Sequence, residues 1–126
     1  MLHKKPRVPV SVIVPCYCCS ATLERSVESI LSQTFLPSEL VLVNDGSTDG
    51  GKTLQLLQEI YSRINHIFFD VKVIDLQKNM GPAFARNAGW DAAEYDYVAF
   101  LDSDDAWHPR KIEIQYAYMH QHPEVA

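Results

Sequence analysis

Four apolar runs alternate along the chain with segments whose apolar residues recur at helical spacing. The runs occupy residues 10–14, 40–43, about 68–76, and 97–101. Continuous apolar runs of this length are typical of strands buried in a parallel sheet, and the partial alternation of the third run indicates a position near the sheet edge. The order strand–helix, repeated four times, predicts an α/β fold with about four parallel strands, flanking helices and right-handed crossovers.

The apolar residues between and after the runs predict four helices. The first stripe, spaced i, i+4, i+7 and i+8, consists of Leu23, Val27, Ile30 and Leu31. The second predicted helix carries, on one side, Leu54, Leu57, Ile60, Tyr61 and Ile64. The third begins at Gly81 and is rich in small residues, which allow a helix to lie close against a sheet. The fourth is expected to begin at Pro109, because proline fits the first helical position, and to run to about Gln121.

Prolines and short polar residues predict where these elements begin and end. Proline cannot donate to a sheet ladder, so the first strand is expected to end or bend at Pro15, and Pro37 is expected to close the first helical unit. Side-chain oxygens cap helix N-termini. The candidate caps are Ser20 or Thr22 for the first helix, and Ser47, Thr48 or Asp49 for the second.

Length and charge narrow the classes of protein. The 126 residues predict one domain, 1–126, in which residues 1–8 form a flexible N-terminal arm. A formal net charge of -5 argues against broad binding to nucleic acid or anionic membranes, which requires a basic face. No apolar run approaches the roughly 20 residues of a membrane span, and the first residues lack the apolar region of a signal peptide, so a cytoplasmic protein is expected. The three cysteines, between residues 16 and 19, lack the paired spacing of a zinc knuckle and are predicted to be free thiols.

The last apolar run leads directly into an acidic turn. Asp102, Ser103, Asp104 and Asp105 follow it, which places three carboxylates within four positions. Two unit charges about 4 Å apart repel by roughly 4 kcal/mol at an effective dielectric near 20. A hard divalent cation relieves this repulsion and often shares oxygen ligands with a substrate's phosphates. The turn therefore predicts a metal site for a phosphorylated ligand, with a solvated loop or a helix N-cap as the alternative.

Polar turns follow three of the four predicted strands, at residues 15–17, 44–47 and 102–104. Ligands of open α/β sheets bind beyond the carboxyl ends of the strands, where the strand order reverses. If the first and fourth strands are neighbours, these three turns meet at one crevice. The sequence therefore predicts a single ligand shared by all three.

Five segments of the chain resemble the family 2 glycosyltransferases. They are residues 10–17, 29–34, 39–49, 79–89 and 101–105. The resemblance covers about residues 9–124, and the five segments occur in the family's order and spacing. It implies the Rossmann-like GT-A fold, which binds nucleotide-sugars, truncated here before the acceptor half.

The resemblance implies a role for each donor-binding residue. Pro15 and Tyr17 are expected to line the nucleotide base and ribose. Asp45 is expected to accept a hydrogen bond from the base, uracil or another pyrimidine, and Arg86 to reach the base or diphosphate. The alternatives from the residues alone are a packed aromatic for Tyr17 and a turn residue for Asp45. For Arg86 the alternative is a surface side chain paired with Asp91 or Glu94.

The resemblance also assigns the Asp-x-Asp element. Asp102 is expected to face the ribose and the metal, and Asp104 to be the more direct ligand of Mn²⁺ or Mg²⁺. A metal neutralises the leaving diphosphate as charge develops on it. Two positions depart from the family pattern, which usually has Asn at Cys18 and Asp at Asn44. The second change removes a carboxylate beside Asp45 and puts base preference or affinity in question.

The expected function is transfer of a sugar from a nucleotide-diphospho-sugar, a UDP-sugar, to an acceptor hydroxyl with inversion. The resemblance places the catalytic base, a carboxylate, well after the acidic turn, so it is expected beyond Ala126. We therefore expect this chain to be the donor-binding half of a longer enzyme, inactive by itself, in which the fourth strand is an exposed edge open to self-association. The expected acceptor is a saccharide or lipid-linked saccharide of a bacterial surface polysaccharide, and the complete enzyme could act at the cytoplasmic face of the membrane.

Two further functions are consistent with the residues. One is a non-catalytic module that binds a sugar nucleotide or a protein partner. The other is a phosphotransferase of the haloacid dehalogenase type, in which an Asp-x-Asp also follows a strand. In that class the motif follows the first strand, whereas here it follows the fourth. A nucleotidylyltransferase is disfavoured because residues 16–20 lack its glycine-rich loop.

Overall fold

The computed structural model describes residues 5–67 and 70–123. Within these ranges four strands alternate with four helices, as predicted. The elements are β1 (Arg7–Cys16), α1 (Leu23–Leu31), β2 (Leu36–Asp45), α2 (Lys52–Ile64), β3 (Asp70–Leu76), α3 (Pro82–Ala92), β4 (Tyr97–Phe100) and α4 (Lys111–Gln121). Residues 68 and 69, which the sequence assigned to the third strand, lie outside the described ranges.

All four strands are parallel, in the order β3-β2-β1-β4. β1 is one of the two inner strands and is paired on both sides, since Val12 lies opposite Leu40 of β2 and Ala99 of β4. This arrangement confirms that the first and fourth strands are neighbours and that the third lies at an edge. The strand order therefore reverses beside β1, where the sequence predicted the crevice.

Helices cover both faces of the sheet, because alternate residues of a strand point to opposite faces. On one face α1 and α2 bury apolar residues at helical spacing: Leu23, Val27 and Ile30 in α1, and Leu57, Ile60 and Ile64 in α2. On the other face Ala85 of α3 packs against Ile13, Val41 and Val43. Every residue of β2 is buried, as expected for a strand covered on both sides.

The small residues of α3 permit a close approach to the sheet, as predicted. A Cβ atom added to Gly89 would lie 2.4 Å from Cγ2 of Ile13 and 3.3 Å from Cγ2 of Val43. A side chain at this position would have to displace the side chain of Ile13 or move α3 away from the sheet. The glycine thus sets the distance between α3 and the strands whose carboxyl ends form the site.

Two prolines lie inside strands, which the sequence did not predict. Pro15 lies within β1, opposite Val43, and Pro37 lies within β2, opposite Val8. β4 has already ended beside Pro15, so this proline has a strand neighbour on one side only. The missing N–H therefore breaks no ladder, as for a proline on an edge strand. β1 also begins at Arg7, inside the segment 1–8 that was expected to be an arm.

The predicted helix boundaries and faces need three corrections. Helix α4 begins at Lys111, and Pro109 precedes it. On α2 the buried stripe includes Thr53, whereas Leu54 is half-buried and Tyr61 is 39% exposed, because both lie one residue round the helix from the core-facing positions. The residue at the N-cap of α1, Thr22, makes no side-chain cap hydrogen bond. The N-cap residue of α2 is Gly51, but Asp49, a predicted cap, accepts a hydrogen bond from the N–H of Thr53 in the first turn of that helix.

β4 also differs from the prediction. The strand ends at Phe100, one residue before the predicted end, and its residues are half-buried instead of fully buried. An edge strand is covered less completely than a central one. None of the helices in the described part of the chain combines the length and apolarity needed to cross a membrane.

Candidate functional site

A cavity of about 420 Å³ lies at the carboxyl ends of β1, β2 and β4. Five of the six residues predicted to bind the donor line it: Pro15, Tyr17, Asp45, Asp102 and Asp104. They come from the carboxyl ends of β1 and β2 and from the turns after β1 and β4, which the fold brings to one place. A larger groove of about 760 Å³ beside β4 and α4 is lined mostly by apolar residues, and none of the predicted site residues lies in it.

The turn after β1 forms one wall of the cavity and is joined to the turn after β2. The Tyr17 side chain is 45% exposed, and its hydroxyl lies 3.3 Å from Oγ1 of Thr48. The backbone N–H of Cys18 donates to Oγ of Ser47 at 2.9 Å. An exposed aromatic ring held at its polar end provides a flat surface for a base or sugar.

Asp45 lies at the end of β2 and is buried. Its Oδ1 accepts a hydrogen bond of 2.8 Å from the backbone N–H of Met80, so the carboxylate also holds the loop that leads into α3. That loop approaches very closely, since a Cβ atom on Gly46 would lie 2.3 Å from the backbone of Asn79. Gly46 has φ +60, in the left-handed region that favours glycine. The sequence showed this glycine without indicating that the 78–81 loop packs on it.

Asn44, a departure from the family pattern, does not line the cavity. Its Nδ2 donates to Oδ1 of Asp75 at 2.9 Å, and its Oδ1 accepts from the hydroxyl of Ser47 at 2.6 Å. The amide therefore connects β2 to the end of β3 and orders the turn between β2 and α2. In this structure the side chain lies away from the surface that Asp45 presents.

Arg86 forms an ion pair with the acidic turn. Its Nη2 lies 3.6 Å from Oδ1 of Asp102, and both side chains are partly exposed. Among the described residues Arg86 forms no ion pair with Asp91 or Glu94, the partners that a surface role would have given it. The guanidinium projects from α3 towards the carboxylates without lining the cavity itself.

Three carboxylates converge in the acidic turn. One oxygen from each of Asp102, Asp104 and Asp105 lies within 4.8 Å of the others, and all three residues are exposed. The N–H of Asp105 donates to the carbonyl of Asp102 at 3.0 Å, which closes the turn. Oxygen ligands from carboxylates suit Mg²⁺ and Mn²⁺. The sequence did not assign a role to Asp105.

A second group of carboxylates, Glu39, Asp70 and Glu94, also converges. Nζ of Lys72 lies among them, within 2.8 to 3.4 Å of an oxygen of each. The ammonium already balances part of this negative charge. The group therefore acts as a structural ion-pair network at the opposite end of the sheet from the cavity.

The cysteines are free thiols, as predicted, and all three line the cavity. Cys16 and Cys19 are buried, while Cys18 is exposed and has φ 50. A hydrogen bond between the Cys16 and Cys19 thiols, together with burial, raises the pKa of Cys16. The same hydrogen bond lowers the pKa of Cys19, although burial opposes it.

The sheet order and the position of the cavity define the class of protein, because solved GT-A structures have the same architecture. A crystal structure of S. aureus TarS in complex with UDP-GlcNAc superposes with a TM-score of 0.75 and 31% sequence identity. The similarity covers 91% of this chain and 32% of that chain. The chain belongs to glycosyl transferase family 2, whose model matches residues 11–126.

Two curated relatives agree with this assignment. TuaG of Bacillus subtilis (strain 168), described as a putative teichuronic acid biosynthesis glycosyltransferase, is 42% identical over 119 residues. WfaP of Escherichia coli, a UDP-Glc:alpha-D-GlcNAc-diphosphoundecaprenol beta-1,3-glucosyltransferase, is 38% identical over 112 residues. These alignments include 94% and 87% of this chain but only 44% and 41% of the relatives. The chain thus spans less than half the length of either protein.

Proposed function

We propose that this chain supplies the donor- and metal-binding part of an enzyme that transfers a sugar from a nucleotide-diphospho-sugar to an acceptor hydroxyl with inversion. The observation that carries the proposal is the convergence of Tyr17, Asp45 and Asp104 on one cavity at the carboxyl edge of the sheet. Residues 1–126 would act as one domain or part of one. TarS, a structural neighbour, was solved with UDP-GlcNAc, and WfaP is named for UDP-Glc, so a UDP-sugar is the proposed donor.

The cavity suggests how the donor would lie. Tyr17 and Pro15 would contact the base and ribose, because an exposed ring beside a rigid proline forms an apolar surface. Asp45 would accept a hydrogen bond from a base N–H through Oδ2, since Oδ1 is bonded to Met80. The guanidinium of Arg86 would reach the diphosphate, because planar guanidinium groups bind phosphate oxygens well.

The acidic turn fits a divalent cation. Asp102 and Asp104 would hold it, and Asp105 is close enough to contribute an oxygen or to orient a bound water. A bound Mn²⁺ or Mg²⁺ would neutralise negative charge on the leaving diphosphate. Arg86 lies beside the same carboxylates and would add positive charge on the donor side.

The acceptor and the catalytic base are proposed to belong to the part of the relatives that this chain does not match. The names of TuaG and WfaP refer to teichuronic acid biosynthesis and to a diphosphoundecaprenol-linked sugar. We therefore propose a saccharide or lipid-linked saccharide as the acceptor, and the cytoplasmic face of a membrane as the place of action. The isolated chain would bind donor without turnover. It would also self-associate through the outer edge of β4, which pairs with no strand among the described residues.

Calorimetric titration of UDP, with and without Mn²⁺, tests the proposal. Binding should strengthen with the metal, and Asp104→Ala should abolish that gain. Asp91→Ala is the matched control, because Asp91 is an exposed aspartate of α3 that does not line the cavity. Binding that is indifferent to Mn²⁺, or unchanged by Asp104→Ala, would contradict the proposal. Phosphatase activity that is lost in Asp102→Asn would instead favour a phosphotransferase.

A further inference from the structure

Helix α1 contacts the backbone of the acidic turn through two adjacent side chains. Oγ of Ser26 lies 2.8 Å from the carbonyl oxygen of Ser103 and 3.5 Å from that of Asp102, and it also contacts the carbonyl of Asp105. Nη2 of Arg25 donates to the carbonyl of Asp104 at 2.8 Å. Ser26 and Arg25 together thus contact the carbonyls of all four residues of the turn.

This contact links a buried residue of α1 to the exposed acidic turn. Ser26 is completely buried, whereas the carboxylates of the turn are exposed. A hydroxyl has one proton, so Ser26 shares it among the carbonyls grouped around its oxygen. With its carbonyls facing the helix, the turn presents Asp102 and Asp104 to the cavity.

A second buried side chain holds the segment further along. Nε2 of Gln33 donates to the carbonyl of His108 at 2.7 Å, and its Oε1 accepts from the N–H of Ile112 at 3.0 Å. Gln33 is fully buried and follows α1 directly. The chain between the acidic turn and α4 is therefore attached to α1 and its C-terminal extension at two separate places.

These attachments matter because the carboxylates repel one another. Three negative charges within 4.8 Å favour a rearrangement that separates them when no cation is present. If the turn were free to rearrange, cation binding would have to order it. The free-energy cost of that ordering would weaken the binding. Backbone anchoring from a buried residue removes this cost in advance.

We propose that Ser26 and Arg25 are positioning residues of the metal site: by holding the carbonyls of the acidic turn against α1, they keep the carboxylates of Asp102, Asp104 and Asp105 together for the cation. The role rests on the proposed function, because it presumes a divalent cation at this turn. It is independent of which sugar the donor carries.

Ser26→Ala tests the proposal, with Ser29→Ala as the matched control. Both changes remove one hydroxyl from α1, but Ser29 donates to the carbonyl of Ser26 within its own helix and does not contact the turn. Mn²⁺ affinity is measured from the electron paramagnetic resonance signal of the free ion, at a temperature where circular dichroism shows each variant to be folded. Ser26→Ala should bind Mn²⁺ roughly fivefold more weakly, the worth of one typical hydrogen bond, and Ser29→Ala should match the wild type.

Replacement of Arg25 distinguishes two explanations, because they predict opposite changes in Mn²⁺ affinity. If Arg25 acted only as a nearby positive charge, its removal would strengthen binding of a cation. If it positions the turn, Arg25→Gln should weaken Mn²⁺ binding in spite of the lost repulsion. Arg25 is exposed, so the change should not endanger folding. Tighter Mn²⁺ binding by Arg25→Gln, or equal affinities of the two serine variants, would overturn the proposal.

Hydrogen exchange separates failure of this role from failure of the proposed function. The N–H of Asp105 donates to Asp102 within the turn, so its exchange rate reports how well the turn is ordered without any ligand. Ser26→Ala should accelerate that exchange by roughly fivefold if the anchor contributes one hydrogen bond, whereas Ser29→Ala should not. An unchanged rate overturns the positioning role even if the wild type binds Mn²⁺. A wild-type chain that binds no Mn²⁺ overturns the proposed function, and the metal-positioning role with it, whatever the exchange rate shows.

Discussion

The side chains of Glu39 and Lys72 form an ion pair across the neighbouring strands β2 and β3, with Oε2 and Nζ 2.8 Å apart. Glu39 is fully buried, and its Oε1 accepts from the hydroxyl of Ser11 and from the N–H of Glu94. Lys72 also donates to the carbonyl of Ala92. Burial by itself lowers the pKa of Lys72, but the carboxylates around it outweigh burial and raise the pKa above its usual value. The pair thus joins the C-terminus of α3 to three strands.

Lys72→Met should destabilise the protein strongly. It removes the only ammonium within 4 Å of Glu39 among the described residues, and so leaves a buried carboxylate unpaired. Breaking a buried pair from one side typically costs roughly 3–5 kcal/mol of the free energy of unfolding. Urea denaturation followed by circular dichroism measures the change.

Two further variants identify the cause. Glu94→Gln removes an exposed partner of Lys72 and should cost less than about 1 kcal/mol, as surface pairs do. The double variant Glu39→Gln with Lys72→Met should recover most of the lost stability, because a neutral amide can still accept from Ser11. A Lys72→Met chain as stable as Glu94→Gln would contradict the ion-pair account.

Gly89→Ala should destabilise through overpacking between α3 and β1. The added methyl would lie 2.4 Å from Cγ2 of Ile13, and overpacking of a core typically costs about 1–3 kcal/mol. Alanine is favoured over glycine within a helix by about 1 kcal/mol, which offsets part of the loss. Asn87→Ala, at an exposed position of the same helix, should be neutral or slightly stabilising. Equal urea midpoints for the two variants would show that α3 can move away from the sheet at little cost.

The order and type of the elements could be predicted because burial on both faces leaves continuous apolar runs. Strand lengths could not, since they depend on where neighbouring strands begin and end. Pro15 is expected to end or bend the first strand, yet it lies inside β1, at a position where β4 has already ended beside it. The buried face of α2 could not be predicted fully either. Thr53 is polar, but its hydroxyl bonds to Asp49, which makes its burial acceptable.

The sequence predicted the residues that line the candidate site better than the hydrogen bonds that hold them in place. Strand ends and the family resemblance indicated Tyr17, Asp45, Asp102 and Asp104, and all four line one cavity. The bond from Met80 to Asp45 and the anchoring of the acidic turn by Ser26 involve backbone groups, which no side-chain pattern reveals. A serine within an amphipathic helix looks like any other small residue until the chain folded against it is known.

Asp49 should make stability depend on acid pH. The hydrogen bond from the hydroxyl of Thr53, followed by that from its N–H, holds the pKa of Asp49 below the usual value of 3.8. A carboxyl whose pKa is lowered by folding stabilises the protein above its unfolded pKa, and this contribution disappears as pH falls through the folded value. The wild type should therefore exceed Asp49→Asn in free energy of unfolding near pH 6, and the difference should shrink below about pH 4.

Thr53→Val distinguishes this cause from a general effect of charge. The change keeps the shape of the side chain and removes the hydroxyl that bonds to Asp49. Urea denaturation at pH 6 and pH 3 should show that Thr53→Val, like Asp49→Asn, loses more stability relative to the wild type at the higher pH. A difference between wild type and Asp49→Asn that stays constant over this range would refute the assignment.

The alkylation rate of the Cys18 thiol should show whether the cavity is occupied. It is the exposed one of the three thiols lining the cavity, and Cys16 and Cys19 are buried, so iodoacetamide should modify Cys18 first. If UDP and Mn²⁺ occupy the cavity, they should shield this thiol. By mass action the alkylation rate should fall about tenfold when free UDP is ten times its dissociation constant. Mass spectrometry of the modified peptide gives the rate.

Cys18→Ser shows whether the fast reaction belongs to this residue. The variant should lose the rapid phase and keep the slow modification of the buried thiols. Uridine should protect less than UDP, because it lacks the diphosphate that would contact the acidic turn and Arg86. An alkylation rate that is unaffected by UDP, at concentrations where calorimetry detects binding, would place the nucleotide away from the turn after β1. The roles proposed for Pro15 and Tyr17 would then be wrong.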